Sequence, residues 1–147
     1  MRLSRFSDYS LRVLMFAALK NESFQIDEVT EAYQLSRHHV AKIVHQLAGL
    51  GYLETRRGRG GGTSLAHDPV EISLGKLLRQ TERQSPLVEC FDPGTNTCNI
   101  SSCCKLKGIL ARAEEAFFRS LDEQSLRDLV SGAQCAKMRR ILLPGAN

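Results

Sequence analysis

Four of the five cysteines in the sequence lie close together, between residues 90 and 104. They are Cys90, Cys98, Cys103 and Cys104, whereas Cys135 stands apart and is expected to be a small buried hydrophobic residue. Five is an odd number, and clustered thiols in a reducing compartment indicate metal binding or redox chemistry rather than a disulfide framework. Thiolates are soft ligands that suit iron–sulfur clusters, zinc and copper(I).

The spacing of these cysteines narrows the choice of metal. Zinc sites usually contain Cys-x2-Cys pairs, but here seven residues separate Cys90 from Cys98, and four or five separate Cys98 from Cys103 or Cys104. The pattern favours an iron–sulfur cluster held by Cys90, Cys98 and one of the two adjacent cysteines, with a structural zinc as the alternative. A cubane cluster would need one more ligand from elsewhere in the chain, from a partner subunit or from solvent.

A second group of candidate functional residues is polar or basic and lies between residues 36 and 59. Some occupy the side of a predicted helix that faces away from its apolar stripe, where they can contact phosphates and base edges in a DNA major groove. Others lie on a glycine-rich hairpin, whose slim backbone lets arginine approach the sugar–phosphate backbone or enter a minor groove. The alternative is an ordinary solvated, charged surface. The predicted DNA-binding residues are Ser36, Arg37, His38, His39, Lys42, Arg57 and Arg59, with Gln46 and Arg56 beside them.

The elements that would position the basic residues follow from hydrophobic periodicity. A first amphipathic helix is predicted to have Ser7 as its N-cap and Asp8 in its first turn, and to end at residues 21–23. A short second helix, a tight connection at residues 34–35 and a third helix from Ser36 to Gly51 complete a helix-turn-helix. Extended segments on either side of the glycine-rich residues 57–62 predict a hairpin wing.

Beyond the wing, a fourth helix is predicted from Ser73 to Glu82, followed by the irregular cysteine region. A long helix begins near Cys104, with an apolar seam from Leu106 to Leu121 that fits a dimerisation helix. A short helix at residues 126–130 precedes a C-terminal tail for which the sequence pattern predicts neither helix nor strand. The expected fold is mainly α: a winged helix-turn-helix domain (residues 1–82), a cluster-binding loop (83–104), and a dimerisation helix with the C-terminal tail (105–147).

Composition excludes several other classes. With 42% hydrophobic residues the chain is globular, and its formal charge of +4 permits nucleic-acid binding. The longest apolar run, Val13 to Leu19, is too short to span a bilayer, so a cytoplasmic protein is expected. The sequence has no nucleotide or flavin fingerprint and no paired general acid and base, so an enzyme is not expected. The alternative from a different class is a small iron–sulfur redox or electron-transfer protein.

Five motifs together resemble a known family over most of the chain. They are Met1-Arg2-Leu3 with Phe6-Ser7-Asp8-Tyr9, Leu35-Ser36-Arg37-His38-His39, Gly51-Tyr52-Leu53, the glycine-rich wing through Leu65, and Cys98-x5-Cys104-Lys105-Leu106. The chain is therefore similar to the winged-helix iron–sulfur transcription repressors of the NsrR, RirA and IscR type. This resemblance implies a homodimer that binds an operator in double-stranded DNA, with an affinity that depends on the state of the cluster.

The resemblance also implies which residues bind the cluster. The matching positions make Cys90, Cys98 and Cys104 the thiolate ligands and leave Cys103 as an extra cysteine. Lys107 stands where the [2Fe-2S] branch has a histidine, which argues against that branch. Asp8 matches the Ser-Asp-Tyr motif of the nitric-oxide-sensing branch, in which this aspartate can ligate a [4Fe-4S] cluster from the partner subunit. The alternative for Asp8 is an ordinary carboxylate at a helix N-terminus.

Some positions depart from the nitric-oxide-sensing pattern. The Cys90–Cys98 spacer is longer than is typical there and nearer to that of iron-responsive members. Gly60 and Ser64 stand where asparagine and arginine are common. Nitric oxide is the expected signal, with iron status as the alternative, and the expected cofactor is a [4Fe-4S] cluster, with [2Fe-2S] as the alternative.

Overall fold

The structure, a computed structural model, describes residues 3–58, 60–83 and 86–145. The mainly helical fold with one small sheet, predicted from the sequence, is confirmed. Within the described ranges, no helix is both long enough and apolar enough to cross a membrane. The elements are α1 (Arg5–Lys20), α2 (Ile26–Tyr33), α3 (Arg37–Gly49), β1 (Leu53–Arg56), β2 (Gly62–Leu65), α4 (Leu74–Thr81), α5 (Lys105–Asp122), α6 (Leu126–Leu129) and α7 (Ala133–Leu142), with short 3-10 helices at Pro69–Glu71 and Glu89–Phe91.

Helix α1 begins earlier than the sequence predicts. Ser4 is the N-cap, and its Oγ accepts a hydrogen bond from the backbone N–H of Ser7 at 3.1 Å. The prediction of Ser7 as the cap is therefore wrong. Ser7 is fully buried inside the first turn, where its hydroxyl donates to Oγ1 of Thr81 on α4 at 2.7 Å. Asp8 lies in the first turn of α1, as predicted.

Helices α1, α2 and α3 form the predicted helix-turn-helix around a common core. Gln34 adopts the left-handed conformation that ends α2, and Ser36 is the N-cap of α3, as predicted. Gly51, with φ +83°, follows the end of α3. The apolar side of each helix is buried against the other two, which removes enough apolar surface from water to hold the short helices in place. The buried core of these helices includes Val13, Leu14, Phe16, Ala17, Val29, Val40, Ile43, Val44 and Leu47.

Strands β1 and β2 form the predicted wing, an antiparallel hairpin over residues 53–65. Its register pairs Leu53 with Leu65 at the base and Arg56 with Gly62 near the tip. Strand β2 is also joined to the α1–α2 connection, because Phe24 and Thr63, one residue from Gly62, exchange two backbone hydrogen bonds of 2.8 and 2.9 Å. The wing is thus fixed to the α1–α2 connection along β2.

Helix α4 occupies the predicted position between the caps Ser73 and Glu82, and packs closely on α5. The contact is close at Gly75: a Cβ atom there would lie 2.2 Å from Oδ1 of Asp122 and 2.6 Å from the carbonyl oxygen of Phe118. Arg79, one turn further along α4, donates hydrogen bonds to Asp122 at 2.7 Å and to Glu115 at 3.1 Å. This junction holds α5 against the winged helix-turn-helix.

The C-terminal helices differ in how they are covered. Helix α5 spans five turns, as predicted. The structure describes every residue of this helix, and none of them is buried in the single chain. Leu106 is 58% exposed and Ile109 is 52% exposed. Helix α6 buries Leu126 in the core, and α7, formed by the tail that has no sequence assignment, packs against α1 and α2.

Candidate DNA interface and cysteine segment

The predicted DNA-binding residues of α3 lie on its solvent side. The helix buries four apolar residues, Val40, Ile43, Val44 and Leu47, against the core. This orients the rest of the helix outward, so that Arg37, His38, His39, Lys42 and Gln46 are all exposed. Ser36 is exposed at the N-cap, and its side chain makes no capping hydrogen bond within the described residues. The second helix of the helix-turn-helix therefore presents a continuous polar and basic surface.

Arg37 is the one predicted DNA contact that has an acidic partner in the described residues. Its Nε donates to Oδ1 of Asp27 at 2.6 Å, and the side chains are 67% and 62% exposed. Exposed ion pairs of this kind contribute about 0–1 kcal/mol. A DNA phosphate can therefore displace Asp27 from Arg37 at small cost.

The wing carries the other predicted contacts. Arg56 and Arg57 are exposed at the end of β1, and Gly58 and Gly60 adopt positive φ angles of 97° and 76° that build the turn. Arg59, also predicted to contact DNA, lies outside the described residues.

One residue that supports the wing was not found by sequence reasoning. Gln25 donates a side-chain hydrogen bond to the carbonyl oxygen of Gly61 at 2.5 Å. The same residue caps α2, in a capping box with Glu28. The Gln-x-x-Glu spacing indicates only a helix cap at Gln25, and no local signal places its side chain against Gly61, 36 residues further along the chain. Gln25 thus links the wing directly to the start of the helix-turn-helix.

The cysteine segment (described residues 86–104) joins α4 to α5 without regular structure, apart from one 3-10 turn. Cys90 lies in that turn, Cys98 lies in the following loop and Cys104 is the N-cap of α5. All three are partly buried, and none is in a disulfide, whereas Cys103 is exposed. The segment is folded by local hydrogen bonds, including those from Gly94 N–H and the Thr95 hydroxyl to the carboxylate of Asp92.

The donor set of the cysteine segment matches an iron–sulfur cluster in its chemistry. Three partly buried thiols on one short segment offer the soft ligands that iron–sulfur clusters require. In the single chain these three thiols do not lie together at one point. Among the described residues, no three His, Cys, Asp or Glu side chains form a group that could hold a metal ion. The residues therefore fit the cofactor by type, and a complete site would need the segment to close around it.

Asp8 lies on the surface of α1, where it forms an ion pair with Arg12. The guanidinium of Arg12 donates two hydrogen bonds to the carboxylate, of 2.9 and 3.2 Å. Arg12 also lies over the rings of Tyr9 and Tyr33, 5.6 and 5.9 Å from their centroids. Burial raises the pKa of Tyr33 to about 12, although the charge of Arg12 acts in the opposite direction. The Asp8 side chain remains 46% exposed, so a second molecule can reach it.

A three-helix head with a hairpin wing, and with basic side chains exposed on both the second helix of the helix-turn-helix and the wing, defines a DNA-binding transcriptional regulator. The chain belongs to the Rrf2 family, described as "Iron-dependent Transcriptional regulator", whose model matches residues 3–132. Members of this family are regulators and not enzymes, which confirms the prediction that this protein is not an enzyme.

Relatives with high identity cover almost the whole chain. The HTH-type transcriptional regulator NsrR of Bacillus subtilis is 44% identical over 136 residues, which cover 91% of this chain and 93% of the relative. The HTH-type transcriptional regulator NsrR of Oceanobacillus iheyensis is 45% identical over 136 residues, with coverage of 91% and 92%. The predicted resemblance to winged-helix repressors of this type is confirmed.

Solved structures confirm the fold independently. CymR (YrzC), the global cysteine regulator of B. subtilis, superimposes with a TM-score of 0.67 at 23% sequence identity. The match covers 88% of this chain and 95% of that structure.

Proposed function

We propose that this chain is a homodimeric, cytoplasmic transcription repressor whose affinity for its operator is controlled by an iron–sulfur cluster that responds to nitric oxide. The observation that carries the proposal is the direct connection of three partly buried thiols, on Cys90, Cys98 and Cys104, to a winged helix-turn-helix. The relatives named NsrR support nitric oxide as the signal.

The uncovered side of α5 supports a homodimer. Leu106 and Ile109 are more than half exposed in the single chain, and Phe117 and Leu121 continue the same apolar seam. Burying each large apolar side chain of this kind contributes about 1.5–3 kcal/mol. Pairing of two α5 helices would cover the seam and would present two α3 helices, one from each copy, to half-sites about one DNA turn apart.

In the proposed cofactor site, Cys90, Cys98 and Cys104 hold the cluster, and Asp8 of the second copy is the fourth ligand. When bound, the cluster supplies iron that reacts with nitric oxide. The exposed carboxylate of Asp8 would exchange its contact with Arg12 for this role. Because Arg12 also lies against Tyr33 at the end of α2, the ion pair of Asp8 connects the site to the helix-turn-helix.

A continuous path of contacts joins the cysteine segment to α1, on which α3 packs. Cys104 caps α5, which contacts α4 at Gly75 and through Arg79. Helix α4 in turn holds the first turn of α1 through the buried hydrogen bond between Ser7 and Thr81. A movement of α5 would therefore shift α1 and the helices packed on it. A coupling of about 1–3 kcal/mol is enough for a useful switch.

Iron status is the second candidate signal. The seven-residue spacer between Cys90 and Cys98 favours it, and the family carries the description "iron-dependent". Under this alternative, the same three thiols hold the cluster, and operator binding follows iron supply rather than nitric oxide.

Anaerobic purification followed by absorption spectroscopy and by iron and sulfide assays tests the cofactor. We expect a broad band near 400 nm and about four iron atoms per chain, as for a [4Fe-4S] cluster. Replacement of any one of Cys90, Cys98 and Cys104 by serine should abolish the band. The same change at Cys103 or Cys135 is the matched control and should leave it intact.

Two results of this experiment would contradict the proposal. Colourless protein that contains stoichiometric zinc would make the cysteine segment a structural metal site. Equal loss of iron in the Cys103 and Cys135 controls would show that the effect is not specific to the proposed ligands. A separate variant, Asp8→Ala, tests the fourth ligand. If it keeps both the cluster and its response to nitric oxide, Asp8 is not a ligand, and the proposal for the three cysteines stands.

A further inference from the structure

A groove of about 510 Å³ lies between the first turn of α1, the exposed side of α3 and the C-terminal end of α4. Its size is within the range of small-molecule sites, about 300–1,000 Å³. Phe6 and Tyr9 of α1 and Ile43 and Leu50 of the α3 region form an apolar surface within it. Neither a cysteine nor Asp8 is among its lining residues, although Asp8 lies on α1 between Phe6 and Tyr9.

The charged residues of this groove are all of one sign. Arg5, Lys42 and Arg83 line it together with His39, and no aspartate or glutamate is among the described lining residues. The carboxylate of Glu82 lies beside them and accepts a hydrogen bond from the backbone N–H of Ser4 at 2.8 Å. None of the three permanent cations forms an ion pair with another described residue. Cations gathered around a concave surface of low polarity attract anions more strongly than cations spread over a flat surface.

We propose that this groove binds a small organic anion that consists of a carboxylate, sulfonate or phosphate group on an apolar body. The basic side chains contact the anionic group, and the surface formed by Phe6, Tyr9 and Leu50 covers the apolar body. Inorganic phosphate satisfies only the first of these two requirements and therefore binds more weakly.

The position of the groove gives such a ligand a regulatory effect. His39 and Lys42 line the groove and also belong to the predicted DNA-binding surface of α3. A bound anion competes with DNA phosphates for the same side chains and adds negative charge beside the duplex. Occupation of the groove therefore weakens DNA binding without any change at the cysteines.

The test uses the full-length protein and the fluorescent probe 1-anilinonaphthalene-8-sulfonate, which has an apolar body and a sulfonate. We expect one probe to bind per chain and a saturating amount of duplex DNA to displace it. The uncharged N-phenyl-1-naphthylamine should bind at least about tenfold more weakly, because it lacks the anionic group. Millimolar inorganic phosphate should compete only weakly.

Paired substitutions locate the site. In the Arg5→Ala/Arg83→Ala variant, the dissociation constant of the sulfonate probe should rise about tenfold. The matched control, Lys137→Ala/Arg139→Ala, removes the same charge from α7 outside the groove and should bind the probe as the unaltered protein does. Circular dichroism of each variant checks that the fold is retained.

Three outcomes would overturn the proposal. Equal binding by the two double variants would place the probe elsewhere. Equal binding of the uncharged probe would make the site merely apolar. Absence of probe binding to the native protein at any attainable concentration would mean that the groove is covered, for example by a second copy of the chain.

Discussion

The contact between α4 and α5 gives the sharpest test of how the proposed regulatory part is joined to the DNA-binding part. Gly75 is buried, and an added Cβ would lie 2.2 to 2.7 Å from atoms of Asp122 and Phe118, two of which belong to the backbone of α5. Backbone atoms cannot move aside as the end of a flexible side chain can. Gly75→Ala must therefore displace α5 and stretch the hydrogen bond from Arg79 to Asp122.

The change in unfolding free energy expected for Gly75→Ala is the difference between two opposing effects. Overpacking of one methyl group in a tight contact costs about 1–3 kcal/mol, whereas alanine in place of glycine within a helix contributes up to about 1 kcal/mol. We expect Gly75→Ala to lower the free energy of unfolding by about 1–2 kcal/mol. Gly108→Ala on α5 is the control, because the nearest atom to its added Cβ is the guanidinium of Arg112 at 3.7 Å. That variant should be as stable as the unaltered protein or up to about 1 kcal/mol more stable.

Urea denaturation followed by far-ultraviolet circular dichroism, at equal protein concentrations, measures both free energies. If the path from Cys104 to α1 operates, Gly75→Ala should also change DNA affinity, although no DNA-binding residue is altered. Equal stability of the Gly75→Ala and Gly108→Ala variants would refute the packing argument. A destabilised Gly75→Ala protein with unchanged DNA affinity would refute the coupling through α5.

Three further predictions concern DNA binding, a turn and acid stability. Arg57→Ala should weaken binding to all duplex sequences alike and reduce the slope of log affinity against log salt by about 1, and an unchanged slope would remove this residue from the interface. Gly51→Ala should lower the free energy of unfolding by about 1–2 kcal/mol, because φ is +83° at this residue. Gly49→Ala is the control and should not destabilise the protein, because a Cβ there has no neighbour within 4 Å. Equal unfolding free energies of the two variants would contradict this prediction. A hydrogen bond from Arg79 lowers the pKa of Asp122 below 3.8, so its stabilisation is present above pH 3.8 and is lost as the pH falls through the lower folded-state pKa. Urea midpoints measured between pH 5 and pH 2.5 should show this loss in the unaltered protein, and Arg79→Gln should reduce it.

The helix-turn-helix and the wing could be predicted from sequence because their signals are local. Apolar periodicity fixes which side of α3 is buried, and the glycines at 58 and 60 supply the positive φ angles that the hairpin turn needs. These features depend on neighbours within a few residues, so the sequence alone carries them. The family resemblance extended the prediction to function, which periodicity cannot do.

The features that sequence reasoning missed depend on residues far apart in the chain. Ser4 and Ser7 are both acceptable helix caps, and Ser7 is buried because it meets Thr81, 74 residues away. Gly75 resembles any helical glycine until α5 packs against it. The basic groove combines Arg5 and Arg83, which no local pattern connects. The arrangement of the three proposed cysteine ligands is also beyond local signals, because a cofactor and a second chain would complete it.

Under the proposed function, the cluster on the cysteine segment controls DNA binding. The most direct measurement is an anaerobic titration of the purified cluster-containing protein with nitric oxide, in which the absorbance near 400 nm and the retention of a duplex selected from a random library are recorded on the same samples. We expect DNA to be released in proportion to the loss of the cluster absorbance, and a Cys98→Ser protein without the cluster to show no response. DNA that remains bound after the cluster has fully reacted would show that the cluster does not control DNA binding.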